Sequence, residues 1–458
     1  MSARTRTAVP WPIVRLGDVA RTSSGGTPKR SVPSYYDGDI PWVKSGELGD
    51  RVVYETGEKI SKVALEQSSA KLFPKGTLCV ALYGATVGKL GILGIKAATN
   101  QAVCGIFLPE SIDTRFAYRF LESKRGELVE KGKGGAQPNI SQEIIRDLEF
   151  PLPPIEEQRE IVAEIEKQFT RLDAGVAALR RVQANLKRYR AAVLKAACEG
   201  CLVPTEAELA KAEGRTYETG EQLLARILAD RRKNWNGRGK YKEPAVPDAT
   251  NLPVLPEGWA WATLDGISAI KGGIAKDQKR KFDGPARSVP YLRVANVQRG
   301  YLDLSEVKNI VATETEIDEL ALKSGDMLFN EGGDRDKLGR GWLWNGELPE
   351  CIHQNHVFRA RLFGKAANSK FVSWYANTFG QKFFFDEGKH TTNLASISMS
   401  KLKALPIPLP PLTEQTRIVA EVESRLSIVE ELDTAVFINL QRAQRLRQAV
   451  LRQAFSDT

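Results

Sequence analysis

Histidine and cysteine are scarce in this chain: its 458 residues include three of the first and five of the second. Three histidines leave no material for a His-rich metal centre. The cysteines, odd in number and scattered, do not form a disulfide framework in a chain of this length, and they fit a reducing compartment. Cys198 and Cys201 in ACEGCL make a lone CxxC. That is half a zinc site, with neither a second CxxC nor an HxxxH to complete it, and its alternative is an incidental pair at a helix end. Also lacking is any apolar run near the roughly 18 residues that a membrane helix needs, and MSARTRTAVPWPIVRLG has no apolar stretch of a secretory signal. The expected location is the cytoplasm.

Catalytic constellations are missing as well. No glycine-rich turn has the form expected for a nucleotide or an S-adenosyl cofactor, and no Ser-His-Asp or Cys-His arrangement has local support. GATVGKLG at 84–91 comes nearest to a phosphate loop. That loop needs four residues between its glycines and a Ser or Thr after the lysine, whereas three residues and a leucine stand here. The chain therefore reads as a binder rather than an enzyme, with no cofactor of its own.

What is present is positive charge and repetition. The net charge of +10 points to an acidic partner such as nucleic acid, and the excess lies mainly in residues 1–150 and 256–407. A composition of 42% hydrophobic and 27% charged residues is that of a globular protein, and the length calls for more than one core.

PLPPIEEQREIVAEIE begins at Pro151 and PLPPLTEQTRIVAEVE at Pro408. The likeness continues without a gap from 151–198 onto 408–455. Beyond each PLPP, apolar residues recur at spacings of mostly four and three: Ile161, Ile165, Phe169, Leu172, Val176, Leu179, Leu186, Tyr189 and Val193, then Ile418, Val422, Leu426, Val429, Val436, Leu440, Leu446 and Val450. This spacing predicts two long helices, each with an apolar stripe. A helix of about 45 residues is roughly 68 Å long and needs a partner. The economical arrangement is that the two copies pack on each other; the alternative is two long core helices in unrelated domains.

The segments before the helices correspond more weakly. PWVKSGELG at 41–49 parallels PYLRVANVQRG at 290–300, FPKGTLCVAL at 73–82 parallels LKSGDMLFNE at 322–331, and ATNQAVCGIF at 98–107 parallels IHQNHVFRAR at 352–361. NIS at 139–141 and SIS at 396–398 stand at the same distance from their PLPP. Short β-branched and aromatic runs broken by Gly and Pro predict strand-rich α+β domains. The expected layout is a domain at 1–150, a long helix at 151–201, a polar connector with a short helix near Thr219–Trp235 at 202–255, a domain at 256–407 and a long helix at 408–458.

Candidate DNA contacts follow from side-chain chemistry. Asn and Gln pair bidentately with adenine and Arg with guanine, while Lys and Arg reach phosphates. The candidates in the first domain are Lys29, Arg30, Lys44, Tyr83, Lys89, Asn100 and Gln101. Those in the second are Lys279, Arg280, Lys281, Arg293, Gln354, Asn355, His356 and Lys389, with Arg335, Lys337 and Arg340 of the glycine-rich NEGGDRDKLGRG. The competing readings are buried turn hydrogen bonding for the amide pairs and a solvated surface turn for the glycine-rich loop.

The doubled PLPP(I/L)xEQxxIVAE(I/V), together with YGATVGKLGIL at 83–93, NEGGDRDKLGRG at 330–341 and PEGWAWATL at 256–264, resembles the specificity subunits of type I restriction-modification systems over essentially the whole chain. That resemblance implies two target-recognition domains, each reading half of a bipartite DNA sequence, and an antiparallel coiled coil that sets their spacing, related by a pseudo-two-fold repeat. It further implies docking of two methyltransferase subunits, with Pro154, Glu157, Gln158, Pro411, Glu414 and Gln415 as the candidate contacts, and through them two restriction-translocation subunits. S-adenosylmethionine, ATP and Mg are then expected on those partners, in a complex that methylates adenine and cuts DNA. The other reading is a stand-alone DNA-binding or scaffold protein built from the same modules.

Overall fold

A computed structural model describes residues 11–132, 139–235, 239–275, 284–333, 338–364, 367–387, 389–390 and 395–456. The chain divides into two units, 1–181 with 436–458, and 182–435.

In the first unit a five-stranded sheet runs in the order Arg21–Ser24, Val103–Phe107, Leu78–Ala81, Leu90–Leu93, Arg51–Val53. A second, four-stranded sheet is built around Ile40–Val43 and Ala97–Thr99, which pair in parallel. The second unit repeats the plan with Ser268–Lys271, Val357–Leu362, Asp326–Asn330 and Gly341–Trp344 in one sheet, and Ala286–Leu292 beside Ile352–His353, again parallel, in another. The likeness holds bond by bond. Asn100 N–H donates to Val43 O at 3.0 Å, and Gln354 N–H donates to Leu292 O at 2.9 Å. Leu82 N–H donates to Ala102 O at 2.8 Å, and Glu331 N–H to His356 O at 2.9 Å. The weak sequence parallels thus mark equivalent backbone positions.

Each domain closes on its own PLPP. Ile13–Arg15 pairs antiparallel with Glu149–Pro151, and Ala260–Thr263 with Pro406–Leu409. The long helices then run over Ile155–Cys198 and Leu412–Ser456, since no proline follows the PLPP to stop them and the one glycine, Gly175, is tolerated within the first. Within the first unit the start of one helix packs antiparallel on the end of the other. Ile165, Phe169 and Leu451 form a buried cluster, and Arg447 bonds Asp173 at 3.0 Å while stacking on Phe169. Within the second unit Val193, Ala197, Ile418 and Val422 share a core, and Arg190 bonds Glu430 at 2.9 Å. In the alignment of the repeats Asp173 stands over Glu430 and Arg190 over Arg447, so the two units carry one ion pair with its partners exchanged. The expected stripe is incomplete: Tyr189 and Leu446, at matching places in the repeats, are 45% and 46% exposed. Their spacing fits the period but drifts off the narrow face that one helix buries against one neighbour.

The glutamine of each EQ fastens helix to domain. Gln158 donates to Pro153 O at 2.8 Å and Ser111 O at 3.0 Å, and accepts from Asp113 N–H at 2.8 Å. Asp113 in turn caps the helix Thr114–Lys131. Gln415 donates to Pro410 O at 2.8 Å and accepts at 2.7 Å from the N–H of Asn368, the cap of Ser369–Thr378.

The connector holds more structure than its polarity predicts. The expected helix is Gly220–Lys233, and a second runs over Glu206–Glu213 from a Thr205–Glu208 capping box, a pattern readable in TEAE. Leu223 and Ile227 are buried in the core of the second unit. Cys198 is buried there too, while Cys201 is exposed.

Removing either glutamine amide strands buried backbone groups at about 1–3 kcal/mol each. Gln158→Ala and Gln415→Ala are each expected to cost about 2 kcal/mol or more and to lower the melting temperature. Gln→Glu at either place, which sets a carboxylate oxygen against carbonyl oxygens, is expected to do no better. An unchanged thermal melt contradicts the clamp.

Candidate nucleic-acid interface

In the first unit three segments meet at one sheet edge. Gly25–Arg30 leaves the strand Arg21–Ser24, Asn100–Ala102 enters the strand Val103–Phe107, and Leu82–Tyr83 leaves Leu78–Ala81. Gly26 N–H donates to Thr99 O at 2.9 Å, and the Thr27 hydroxyl donates to the Gln101 side chain. A Cβ on Gly25 would lie 2.2 Å from Thr99 O, so the close approach requires glycine. Arg30 lies over the rings of Tyr36 and Trp42, 4.2 and 5.2 Å from their centroids, and binds Glu58 at 2.7 Å. Lys44 reaches the same carboxylate at 2.6 Å. Its hydrogen bond, joined by that of Arg30, holds Glu58 below the usual carboxylate range.

Lys29, Gln101 and Tyr83 are exposed on this edge, with Lys89 half-buried opposite Ala81. Asn100 is half-buried, and its Oδ1 is enclosed without a hydrogen-bond partner. The fold thus gathers the predicted contacts of this domain. It adds Tyr36 and Trp42 as a platform under Arg30, for which the aromatic residues in PSYY and IPW were the only signal.

The second unit builds the corresponding edge from Gly272–Ile274, Gln354–His356 and Glu331–Gly333. Ile274 N–H donates to His353 O at 2.8 Å, and Asn355 N–H to Ile274 O at 2.9 Å. Arg293 occupies the place of Lys44; its guanidinium donates to Glu306 O at 3.0 Å. Arg340 occupies the place of Lys89, its carbonyl accepting from Asn330 N–H at 3.0 Å and its Nη2 donating to Val294 O at 3.2 Å. His356 is exposed and pairs with Glu331, while Gln354 and Asn355 are half-buried. Lys389 lies on a two-residue strand paired with Ala395–Ser396, which also pairs with Gly332–Gly333. Lys279, Arg280, Lys281, Arg335 and Lys337 lie outside the described residues.

The six candidate partner contacts divide sharply. Gln158, Gln415 and Glu414 have no exposed surface and Pro411 is buried, so these four serve the interior of the fold. Glu414 accepts from Trp259 Nε1 and from Glu206 N–H, both at 2.8 Å, and burial raises its carboxyl above the ordinary range. It pins the connector to the second long helix. Pro154 is exposed and Glu157 half-buried.

A duplicated edge of loops carrying Lys, Arg, Asn and Gln matches what duplex DNA asks of a reader. The family described as "Type I restriction modification DNA specificity domain" matches residues 8–177 and 256–431. The chain belongs to that family. It is 22% identical over 455 residues to the type I restriction enzyme EcoKI specificity subunit of Escherichia coli (strain K12), covering 97% of this chain and 88% of that one. It is 24% identical over 457 residues to the StySPI specificity subunit of Salmonella potsdam, with the same coverage. A solved chain from a study of complex assembly and conformational transition of the type I R-M system shares the fold with a TM-score of 0.64, at 21% identity and 98% coverage of each chain. The HsdS subunit from Thermoanaerobacter tengcongensis does so at 0.51, with 20% identity and 99% coverage. The α+β class with two recognition domains and two long helices is therefore that of specificity subunits, and in their systems such subunits are non-catalytic. No described helix is long and apolar enough to cross a membrane.

Under the second edge His353, fully buried, donates from Nδ1 to Val357 O at 2.7 Å, and its Nε2 has no partner. Burial pushes its pKa down to about 4, against the pull of the Val357 carbonyl. The unfolded chain takes up this proton below about pH 6.5 and the folded one only below about 4, so stability is complete above 6.5 and falls as pH drops through that window. We expect a loss on the order of 3 kcal/mol between pH 7 and 4 from this group, reduced in His353→Asn. Melting curves at stepped pH check it, and equal slopes for both proteins contradict it.

Proposed function

We propose that the two recognition domains of this DNA sequence-recognition subunit each read one half of a bipartite duplex site through the edges described above. The observation that carries this is the edge itself, built twice on matching backbone bonds and furnished with different side chains: Asn100, Gln101, Lys44 and Lys89 in one, Gln354, Asn355, Arg293 and Arg340 in the other. Equal scaffolds place their readers alike, and unequal side chains read unequal bases. The paired long helices set the spacing of the halves, which base edges demand because they recur with the DNA turn.

In this reading the chain works in the cytoplasm as the non-catalytic part of a type I complex. Two methyltransferase subunits dock on the repeated helices, and two restriction-translocation subunits join through them. Adenine methylation and ATP-dependent cleavage belong to those partners, which hold S-adenosylmethionine, ATP and Mg.

Expressing the chain with its methyltransferase subunit and mapping modified adenines in the host DNA tests this directly. The expected result is one bipartite motif with a fixed gap; an uninterrupted motif, or none, overturns the reading. Lengthening both long helices by matched insertions is expected to change the gap and leave the bases of each half as they were. For the edge itself, Lys29→Ala with Lys89→Ala should weaken duplex binding and make the slope of log K against log salt shallower by up to about 2. An unaltered slope removes both lysines from the phosphates.

A further inference from the structure

The loop edge of the second unit carries a carboxylate among its cations and amides. Glu331 follows the strand Asp326–Asn330. Its backbone is fixed on both sides, the N–H donating to His356 O at 2.9 Å and the carbonyl accepting from Ile397 N–H at 2.8 Å. Its Oε2 lies 2.5 Å from His356 Nδ1, and Asn355 Nδ2 lies 3.4 Å from Nε2 of the same imidazole. The Glu331 side chain is 32% exposed and that of His356 54%.

The fold does not require this pair. In the first unit the corresponding residues are Leu82 and Ala102, both buried, and they make the same backbone bonds: Leu82 N–H to Ala102 O at 2.8 Å, and Ile140 N–H to Leu82 O at 2.9 Å. Glu331 and His356 are thus polar additions to a frame that closes without them. A carboxylate facing a duplex is repelled by phosphates, so it lowers general affinity for DNA. It gains only where a base offers it a donor. In the major groove those donors are the exocyclic amino groups, cytosine N4 and adenine N6; guanine and thymine present acceptors there.

We propose that Glu331, oriented by His356, accepts a hydrogen bond from the exocyclic amino group of a cytosine or adenine in the half-site read by the second recognition domain. The proposal rests on the reading of two half-sites above. His356 is the positioning residue, fixing the carboxylate so that one oxygen is held and the other is left toward the groove.

The test is enrichment of a random duplex library by the full chain assembled with its methyltransferase subunit, for wild type, Glu331→Gln, Glu331→Ala and His356→Ala. In the expected wild-type motif one base pair of one half depends on Glu331, and whether that pair is G·C or A·T decides between the two amines. In Glu331→Ala, discrimination at that position should fall about tenfold, the equivalent of about 1.4 kcal/mol for one base contact. The other positions and the other half should stay as they were. Glu331→Gln, which can turn a donor to the groove, should newly admit guanine or thymine on the strand that offers the amine in the wild type. His356→Ala should broaden the same position and no other. The proposal is overturned if every position keeps its wild-type discrimination in Glu331→Ala, or if the positions that relax are spread over both halves. A wild type that enriches a motif in one half only, or no motif, overturns the two-half-site reading itself. Melting temperatures of the four proteins, expected to agree because the first unit closes the same backbone bonds without such a pair, separate these outcomes from misfolding.

Discussion

A single buried amide ties each recognition domain to its long helix. An amide offers two donors and an acceptor on one planar group, and the PLPP turn presents carbonyls that the first helical turn cannot satisfy. Gln158 answers Pro153 O in this way and, with its other atoms, closes on the residues that cap Thr114–Lys131. Gln415 does the same for Pro410 O and Asn368. Neither glutamate nor a hydrocarbon can fill that role, because the sites ask for donation and acceptance at once. The angle at which helix leaves domain is therefore held by buried amide bonds to Pro153 O and Pro410 O and by part-buried bonds to the helix caps.

Exchange of Asp173–Arg447 for Arg190–Glu430 shows how a repeat can specify antiparallel packing. One acidic and one basic position in a single ancestral pattern, placed apart along the helix, meet their opposites only if the copies run in opposite directions. Exposed pairs such as these contribute about 0–1 kcal/mol each, so their value lies in selecting direction and register. The cohesion comes from Phe169, Ile165 and Leu451 in one unit, and from Val193, Ile418 and Val422 in the other.

Periodicity made the long helices legible, since four-and-three spacing sustained along a whole repeat suits a helical face and does not suit a strand. The doubled domains were legible for a subtler reason. Backbone geometry binds glycines and strand register, so Gly76 and Gly325 stand at the same turn before their strands, while side chains at equivalent places such as Thr99 and His353 differ. The EQ glutamines were misleading because a Glu-Gln pair at a helix start looks solvated. Only the cap of a helix some 45 residues earlier, brought close by the fold, turns Gln158 inward. Glu331 gave no signal, because its meaning depends on His356, which lies 25 residues later in the turn before Val357–Leu362.

This division of labour explains how one architecture can serve many DNA sequences. The edge is held by bonds between main-chain atoms and by glycines that no side chain can replace: a Cβ on Gly273 would fall 1.9 Å from His353 O, as one on Gly25 would strike Thr99 O. Substitution is therefore costly at the frame and cheap at the tips, where Gln101 corresponds to Asn355 in the repeat and Lys44 to Arg293. A side chain at such a tip can change without disturbing a core residue. Single positions at the edge can then change while the backbone frame, the long helices and the amide clamps stay intact.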